Sequence, residues 1–143
     1  GEACHIYDLF AYLAGAPSTG VQAKAIQPRT GYYGRNDNFV ATISYGDGSV
    51  ATLTYTAMGS KDFPKERMEV YVDGKVFYLD NYERMTVAGG AGGFETKIVE
   101  KGHFEELENF ARAVKEGGEW PIPLGQMIEV SRDAIEIEEQ LKS

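Results

Sequence analysis

The chain contains a single cysteine and only two histidines, and these shortages limit the chemistry that it can carry. Cys4 cannot form a disulfide within the chain, which is typical of a protein from a reducing compartment, so we expect the cytoplasm. His5 and His103 lie far apart, and no further His or Cys accompanies them at the spacing of a zinc site. We therefore expect no bound metal.

Basic residues are also scarce. Lys plus Arg number 14 against 22 for Asp plus Glu, which leaves a net charge of −8. A surface of that sign repels phosphate backbones, so we expect no nucleic acid partner.

Long apolar runs are missing as well. The most apolar early stretch, residues 6–16, is too short to span a bilayer, contains Asp8 and has no basic flank, so we expect neither a membrane anchor nor a signal peptide. The composition, 43% hydrophobic and 25% charged over 143 residues, is that of one soluble domain. The sequence opens with Gly1 instead of Met and enters a helical pattern at once, so we expect that an upstream segment has been cut away.

Apolar residues at helical spacing predict three helices, one near the start of the chain and two near its end. Gly15 and Pro17 predict where the first helix ends. Tyr7 and Tyr12, within that helix, are interpreted as packing residues. The three apolar stripes are Ile6, Leu9, Phe10 and Leu13; Phe104, Leu107, Phe110, Ala111 and Val114; and Met127, Val130, Ala134, Ile137 and Leu141.

Between these helices the sequence predicts five or six strands, with hairpin turns at Asp47-Gly48 and Asp73-Gly74. The segment 28–38 predicts a mobile loop. The order of the elements predicts an α+β fold, an open and mainly antiparallel β-sheet with helices on one face. The strand candidates are residues 21–27 at an edge, 39–45, 50–57, 68–72, 76–81, 84–87 and 94–100.

Two familiar catalytic motifs are absent. The glycine run 89–93 lacks the Lys-Ser/Thr pair of a phosphate loop and the strand and helix of a dinucleotide site, so we interpret it as a flexible connector. No serine stands in the context of a hydrolase nucleophile.

The one constellation with chemical content is the pair His5 and Asp8 in the first helix. Residues three apart share a helical face, so the carboxylate could orient the imidazole and raise its basicity. That makes His5 a candidate general base. The alternative is a surface helix with a polar edge, since paired histidines are often structural.

The run from Gly1 to Leu9, ending in Leu13-Ala14-Gly15, resembles the first helix of the C-terminal domain of the Gfo/Idh/MocA (glucose-fructose oxidoreductase/inositol dehydrogenase) family. The hairpins at residues 38–57 and 69–80 and the closing segment from 104 resemble the rest of that domain. The resemblance implies that residues 1–143 are the substrate-binding and dimerisation domain of a dehydrogenase whose N-terminal Rossmann domain is not present.

The same resemblance implies a sugar, nucleotide sugar or polyol substrate, NAD or NADP in the complete enzyme, and His5 as the acid/base. Many members carry an Asp one turn earlier, where this chain has Gly1, so Glu2 and Asp8 remain as orienting partners. Without a Rossmann domain we expect the isolated chain to bind no cofactor and to be inactive.

We expect the loops to determine substrate specificity and the sheet to determine oligomer formation. Tyr32, Tyr33, Arg35 and Lys61 are candidate substrate-binding residues, against the alternative of plain surface solvation. A Thr-rich sheet face without a cover predicts a homo-oligomer formed through the sheet. A non-catalytic interaction domain that uses this face is the alternative to an enzyme.

Overall fold

The α+β class predicted from the sequence is confirmed. A computed structural model describes residues 2–99 and 102–142, and within them the chain forms three helices, seven strands and a short 3-10 helix. The helices are α1 (Cys4–Ala14), α2 (His103–Glu116) and α3 (Leu124–Lys142), and the 3-10 helix is Arg35–Asp37. The strands are β1 (Ser18–Ala25), β2 (Asn38–Tyr45), β3 (Val50–Thr56), β4 (Arg67–Val72), β5 (Lys75–Asp80), β6 (Arg84–Ala88) and β7 (Gly93–Glu95).

The chain divides into two compact units. The first comprises Gly1–Met58 and Phe110–Ser143, and the second is Gly59–Asn109. The strands follow this division, because β1 to β3 form one antiparallel sheet and β4 to β7 form another. The sequence analysis counted five or six strands in one sheet; each of β1 to β7 overlaps one of its strand candidates, but it did not predict the break in hydrogen bonding between the two sets.

The core lies in the first unit, where α1 and α3 pack with the three-stranded sheet. Strand β2 buries every second side chain, as the alternation predicts for a strand with one covered face. Strand β3 half-buries Ala51, Leu53 and Tyr55 and exposes its threonines on the other face, as expected. The buried apolar residues are Tyr7, Ala11, Val21, Phe39, Ala41, Ile43, Tyr45, Val130, Ile137 and Leu141.

The first helix has the predicted bounds and a buried face different from the predicted one. Gly15 caps it in the left-handed conformation, φ 62°, and donates its N–H to Ala11 O. Tyr7 and Ala11 are the buried residues, whereas Leu13 is 47% exposed. The small Ala11 side chain lets the helices approach closely, which hydrophobicity alone does not predict. Tyr7 is a packing residue as predicted, and the same prediction for Tyr12 is wrong, since it is 74% exposed.

The outer edge of β1 is covered by side chains of α3. Gln140 accepts from Ala23 N at 2.8 Å and donates to Val21 O at 3.1 Å. Glu129 accepts from Ser18 N at 2.8 Å. These bonds satisfy edge groups that could otherwise pair with another strand, so the edge predicted from the sequence is closed to further strands.

The second unit is a twisted ladder of hairpins. Asp73 and Gly74 both have positive φ, 48° and 75°, which is the two-residue turn predicted between β4 and β5. The next turn places Asn81 and Tyr82 at φ 50° and 58°, and the sequence did not reveal it, because a tyrosine is uncommon in this conformation. The predicted strand 94–100 is wrong in length: β7 ends at Glu95, and residue 100 lies outside the described residues.

The apolar stripe of α2 is exposed. None of the described residues of this helix is buried, and Phe104, Leu107 and Val114 are 75%, 67% and 63% exposed. The helix that the stripe predicted is present, and an apolar stripe of this kind ordinarily faces a core, which it does not do within the described residues. Within the described residues no helix has both the length and the apolar character to cross a membrane.

We expect the first unit to lose stability above pH 10 because of two buried tyrosines. Burial, ahead of the neighbouring acidic groups, raises the pKa of Tyr45 and of Tyr7 from 10.0 to about 12. A raised pKa in the folded state means that stability is fully present below pH 10 and is lost as the pH rises toward 12. Urea unfolding at pH 8 to 11 checks this.

The Tyr45→Phe variant should lose less stability over that range, and Tyr12→Phe, on the exposed side of α1, should behave like the parent chain. If the free energy of unfolding fell equally steeply with pH in both variants, Tyr45 ionisation would not be the cause of the lost stability.

Candidate active site

His5 lies in the first turn of α1, on an exposed part of the helix. Tyr7 and Ala11, on the buried side of the helix, pack into the core. The exposed His5 therefore lies on a helix that the core holds in place. The role of His5 toward a substrate stays a prediction.

Asp8 lies three residues further along, half-buried, and its carboxylate is held by α3. Its Oδ1 accepts a hydrogen bond from Gln126 Nε2 at 3.0 Å. This bond ties α1 to α3, and the orientation of His5 by Asp8 stays a prediction.

Glu2, the other carboxylate near His5, is held by β3. The Tyr55 hydroxyl donates to Glu2 Oε2 at 2.9 Å, and the Tyr55 ring stacks on Phe39 with centroids 5.3 Å apart. This hydrogen bond raises the pKa of the Tyr55 phenol. Both carboxylates that flank His5 therefore have fixed partners on neighbouring elements.

The sequence analysis missed these partners, Tyr55 and Gln126. The alternation of β3 indicates that Tyr55 faces inward, which was a usable signal. Gln126 carried no signal, because its role depends on how α3 packs against α1.

The candidate substrate residues of the loop before β2 differ in whether they contact other parts of the chain. Tyr32 is 83% exposed and contacts Tyr33 edge to face, with centroids 5.1 Å apart. Arg35 donates from Nη1 to Lys142 O at 2.8 Å, so its guanidinium binds the carbonyl end of α3. Tyr32 and Tyr33 are available to a ligand, and Arg35 has a structural use.

Lys61, the last candidate substrate residue, belongs to the second unit. It lines an open cleft of about 790 Å³ there.

The glycine run 89–93 does not form a dinucleotide-binding loop. Residues 89–93 join the antiparallel strands β6 and β7, and no helix begins there to hold a pyrophosphate. A Cβ at Gly89 would lie 2.3 Å from Gly74 O, and one at Gly93 would lie 2.6 Å from Met85 O. These glycines allow close backbone packing, which corrects their interpretation as a merely flexible connector.

Comparison with known proteins gives a consistent result. The family described as "Oxidoreductase family, C-terminal alpha/beta domain" (GFO_IDH_MocA_C) matches residues 1–129. No curated protein matches the chain in sequence.

Solved structures match over almost the whole chain. UDP-N-acetylglucosamine 3-dehydrogenase GnnA from Acidithiobacillus ferrooxidans matches with a TM-score of 0.75 at 18% identity, over 96% of this chain and 44% of that one. WlbA dehydrogenase from Bordetella pertussis, in complex with NADH and UDP-GlcNAcA, gives 0.58 at 18%, over 99% and 41%. Biliverdin reductase from Synechocystis sp. PCC 6803, in complex with biliverdin and NADP+, gives 0.70 at 16%, over 96% and 44%. The chain thus spans less than half the length of each, and the likeness establishes a shared fold.

Proposed function

Because the chain belongs to the Gfo/Idh/MocA oxidoreductase family as its C-terminal alpha/beta domain, we propose that residues 1–143 form the substrate-binding half of an NAD(P)-dependent oxidoreductase. The substrate is a hydroxyl or carbonyl of a sugar, nucleotide sugar or polyol. GnnA is a UDP-N-acetylglucosamine dehydrogenase, and WlbA was solved with NADH and UDP-GlcNAcA, which supports this class. The lone Cys4 favours a cytoplasmic enzyme.

The observation that carries the proposal is the exposed His5 on a helix whose neighbouring carboxylates are both held by other elements. Oxidation of a secondary alcohol requires that the hydroxyl proton leave as the carbonyl forms. An imidazole has a near-neutral pKa and can take that proton, and can return it in the reverse direction. His5 is the acid/base in this proposal, and Asp8 and Glu2 hold the start of α1 in place.

NAD or NADP supplies the hydride chemistry in the complete enzyme. Since residues 89–93 do not fit a dinucleotide, we assign the cofactor to an N-terminal Rossmann domain outside this chain. The chain's own part is to bind the substrate and to move the proton.

The experiment is a dehydrogenase assay on the complete enzyme. UDP-sugars, free sugars and polyols would be tested with NAD and NADP, with absorbance of the reduced nicotinamide as the readout. Turnover of at least one hydroxylated substrate supports the proposal, and turnover of none by a folded, cofactor-binding enzyme contradicts it.

A second candidate function is a non-catalytic interaction domain that pairs through its sheet. The observation in its favour is the outer face of the first sheet, where Val40 and Val50 are 43% and 64% exposed among threonines. Because α3 covers the free edge of β1, the outer face and the β3 edge are the parts of this sheet that another copy could meet.

We expect sedimentation equilibrium of the chain at micromolar concentration to give a dimer. Val40→Lys should weaken the dimer about tenfold or more, because a two-fold axis brings each new charge near its own copy. Ile135→Lys places the same charge on an exposed residue of α3 and should have no effect. A monomer at all concentrations would remove the sheet-pairing function and would leave the enzyme proposal standing.

A further inference from the structure

The first unit exposes a series of large apolar side chains between the end of α2 and the start of α3. Phe110 and Val114 lie on α2, Trp120 lies in the connecting segment, and Leu124 and Ile128 lie in the first two turns of α3. Their exposed fractions run from 48% to 63%. We refer to these five residues as the 110–128 surface. Because an exposed apolar patch on a soluble protein commonly marks an interaction site, this surface is a candidate interface.

The connecting part of the 110–128 surface is poor in charge and stiff. Residues 117–128 contain one charged side chain, Glu119, in a chain of which 25% is charged. Pro121 and Pro123 restrict the backbone. The rings of Phe110 and Trp120 are in contact, with centroids 5.3 Å apart. Interface cores are depleted in charge and enriched in aromatic residues, and a stiff segment loses little entropy when it binds, so these properties are those of a protein interface.

The start of α3 lies beside the half of α1 that carries His5. Gln126, in the first turn of α3, donates from Nε2 to Asp8 Oδ1 at 3.0 Å. Asp8 shares a helical face with His5, three residues earlier. Leu124 and Ile128, on either side of Gln126 in the sequence, are exposed. The 110–128 surface therefore ends next to the candidate acid/base.

The proposed function requires another domain at this end of the first unit. Hydride transfer needs the nicotinamide in contact with the substrate carbon whose hydroxyl proton His5 takes. The domain that holds the nicotinamide must then meet the chain near His5. This chain spans 44% of GnnA, and the remainder of a protein of that length is long enough to form such a domain.

We propose that the 110–128 surface is the docking site of the N-terminal, nicotinamide-binding domain, and that this contact places the cofactor beside His5. The inference rests on the proposed function, because it needs a second domain that carries the cofactor. Removal of Trp120, Leu124 and Ile128 from water supplies the driving force. The hydrogen bond from Gln126 to Asp8 ties the docking surface to α1, so the docked domain has a defined position relative to the helix that carries His5.

The first test compares hydrogen exchange in the complete enzyme and in the 143-residue chain, followed by mass spectrometry. We expect the amides of residues 110–128 to exchange at least about tenfold more slowly in the complete enzyme. Equal exchange in the two proteins would overturn the proposal. A slowing confined to residues 110–128 that grows with the concentration of the isolated chain would assign this surface to a second copy, and would overturn it as well.

The second test uses charged variants of the complete enzyme. Leu124→Lys and Ile128→Lys should each remove most of the slowing and lower turnover about tenfold or more, because a displaced nicotinamide no longer meets the substrate. The Kd for NADH should stay nearly unchanged, because the other domain holds the cofactor. Ile135→Lys, on the same side of α3 and about two turns beyond Ile128, is the control and should change neither quantity.

The outcomes separate this inference from the proposed function. An equal loss of slowing with Ile135→Lys would show a general effect of the added charge and would overturn the assignment to the 110–128 surface. Slowed exchange in a complete enzyme that binds NADH and oxidises none of the hydroxylated substrates would support the docking and contradict the proposed activity. Turnover without any slowing at residues 110–128 would do the reverse.

Discussion

We expect His5→Ala in the complete enzyme to lower kcat by about 10²–10⁴-fold and to leave nicotinamide binding nearly unchanged. The reason is that a positioned proton-transfer group contributes to the transition state of the chemical step, whereas we assign the dinucleotide to a domain outside this chain. His5→Asn should be almost as damaging, because the amide keeps some hydrogen bonding and cannot take the proton. Steady-state kinetics and a titration with NADH measure the two effects.

The pH dependence separates catalysis from packing. The acidic limb of the pH–rate profile should disappear with His5→Ala, because that limb reports protonation of the base. Asp8→Asn should cost less and keep the limb, since an amide oxygen can still accept from Gln126. His103→Ala changes the other histidine of residues 1–143 and is the control. Full turnover in His5→Ala with a lowered melting temperature would instead make the imidazole a structural group.

The elements that the sequence predicted well depend on local chemistry. The turn at Asp73-Gly74 needs two residues that tolerate positive φ, and Gly15 ends α1 in the left-handed conformation, so each is specified by the residues within a few positions. The alternation along β2 and β3 likewise predicted which face is covered, because one buried face requires it.

The elements that it missed depend on tertiary context. The turn at Asn81-Tyr82 has no glycine, and a tyrosine rarely adopts a positive φ, so no local pattern predicts it. Asn81 N donates to Glu66 O, in a segment that precedes the hairpin. The apolar stripe of α2 has the periodicity of a core helix, yet periodicity does not say whether its cover lies in the same chain.

The candidate site follows the same division. His5 was predicted from residue type and spacing; its role stays a prediction, and the structure shows the residue exposed. The partners of the flanking carboxylates, Tyr55 and Gln126, come from β3 and α3, far along the sequence, and no short-range pattern reports them.

The second large effect that we expect is on stability, from the core that supports α1. Ile137 on α3 is 2% exposed and belongs to the cluster with Tyr7 and Ile43, so Ile137→Ala should lower the free energy of unfolding by about 2–5 kcal/mol. The loss combines the transfer of the removed methyl groups to water with the cavity left between helix and sheet. Urea unfolding of the chain, followed by circular dichroism, measures it.

Ile135 provides a matched control on the same helix, two residues away and 61% exposed. Ile135→Ala removes the same atoms from a solvated position and replaces a β-branched residue by a better helix former, so stability should change by about 0.5 kcal/mol or less. The contrast between the two variants depends only on which side of α3 faces the sheet. Equal losses of unfolding free energy would mean that the α3 face with Val130, Ile137 and Leu141 does not pack against the sheet. The core that holds α1, and with it His5, would then have to lie elsewhere.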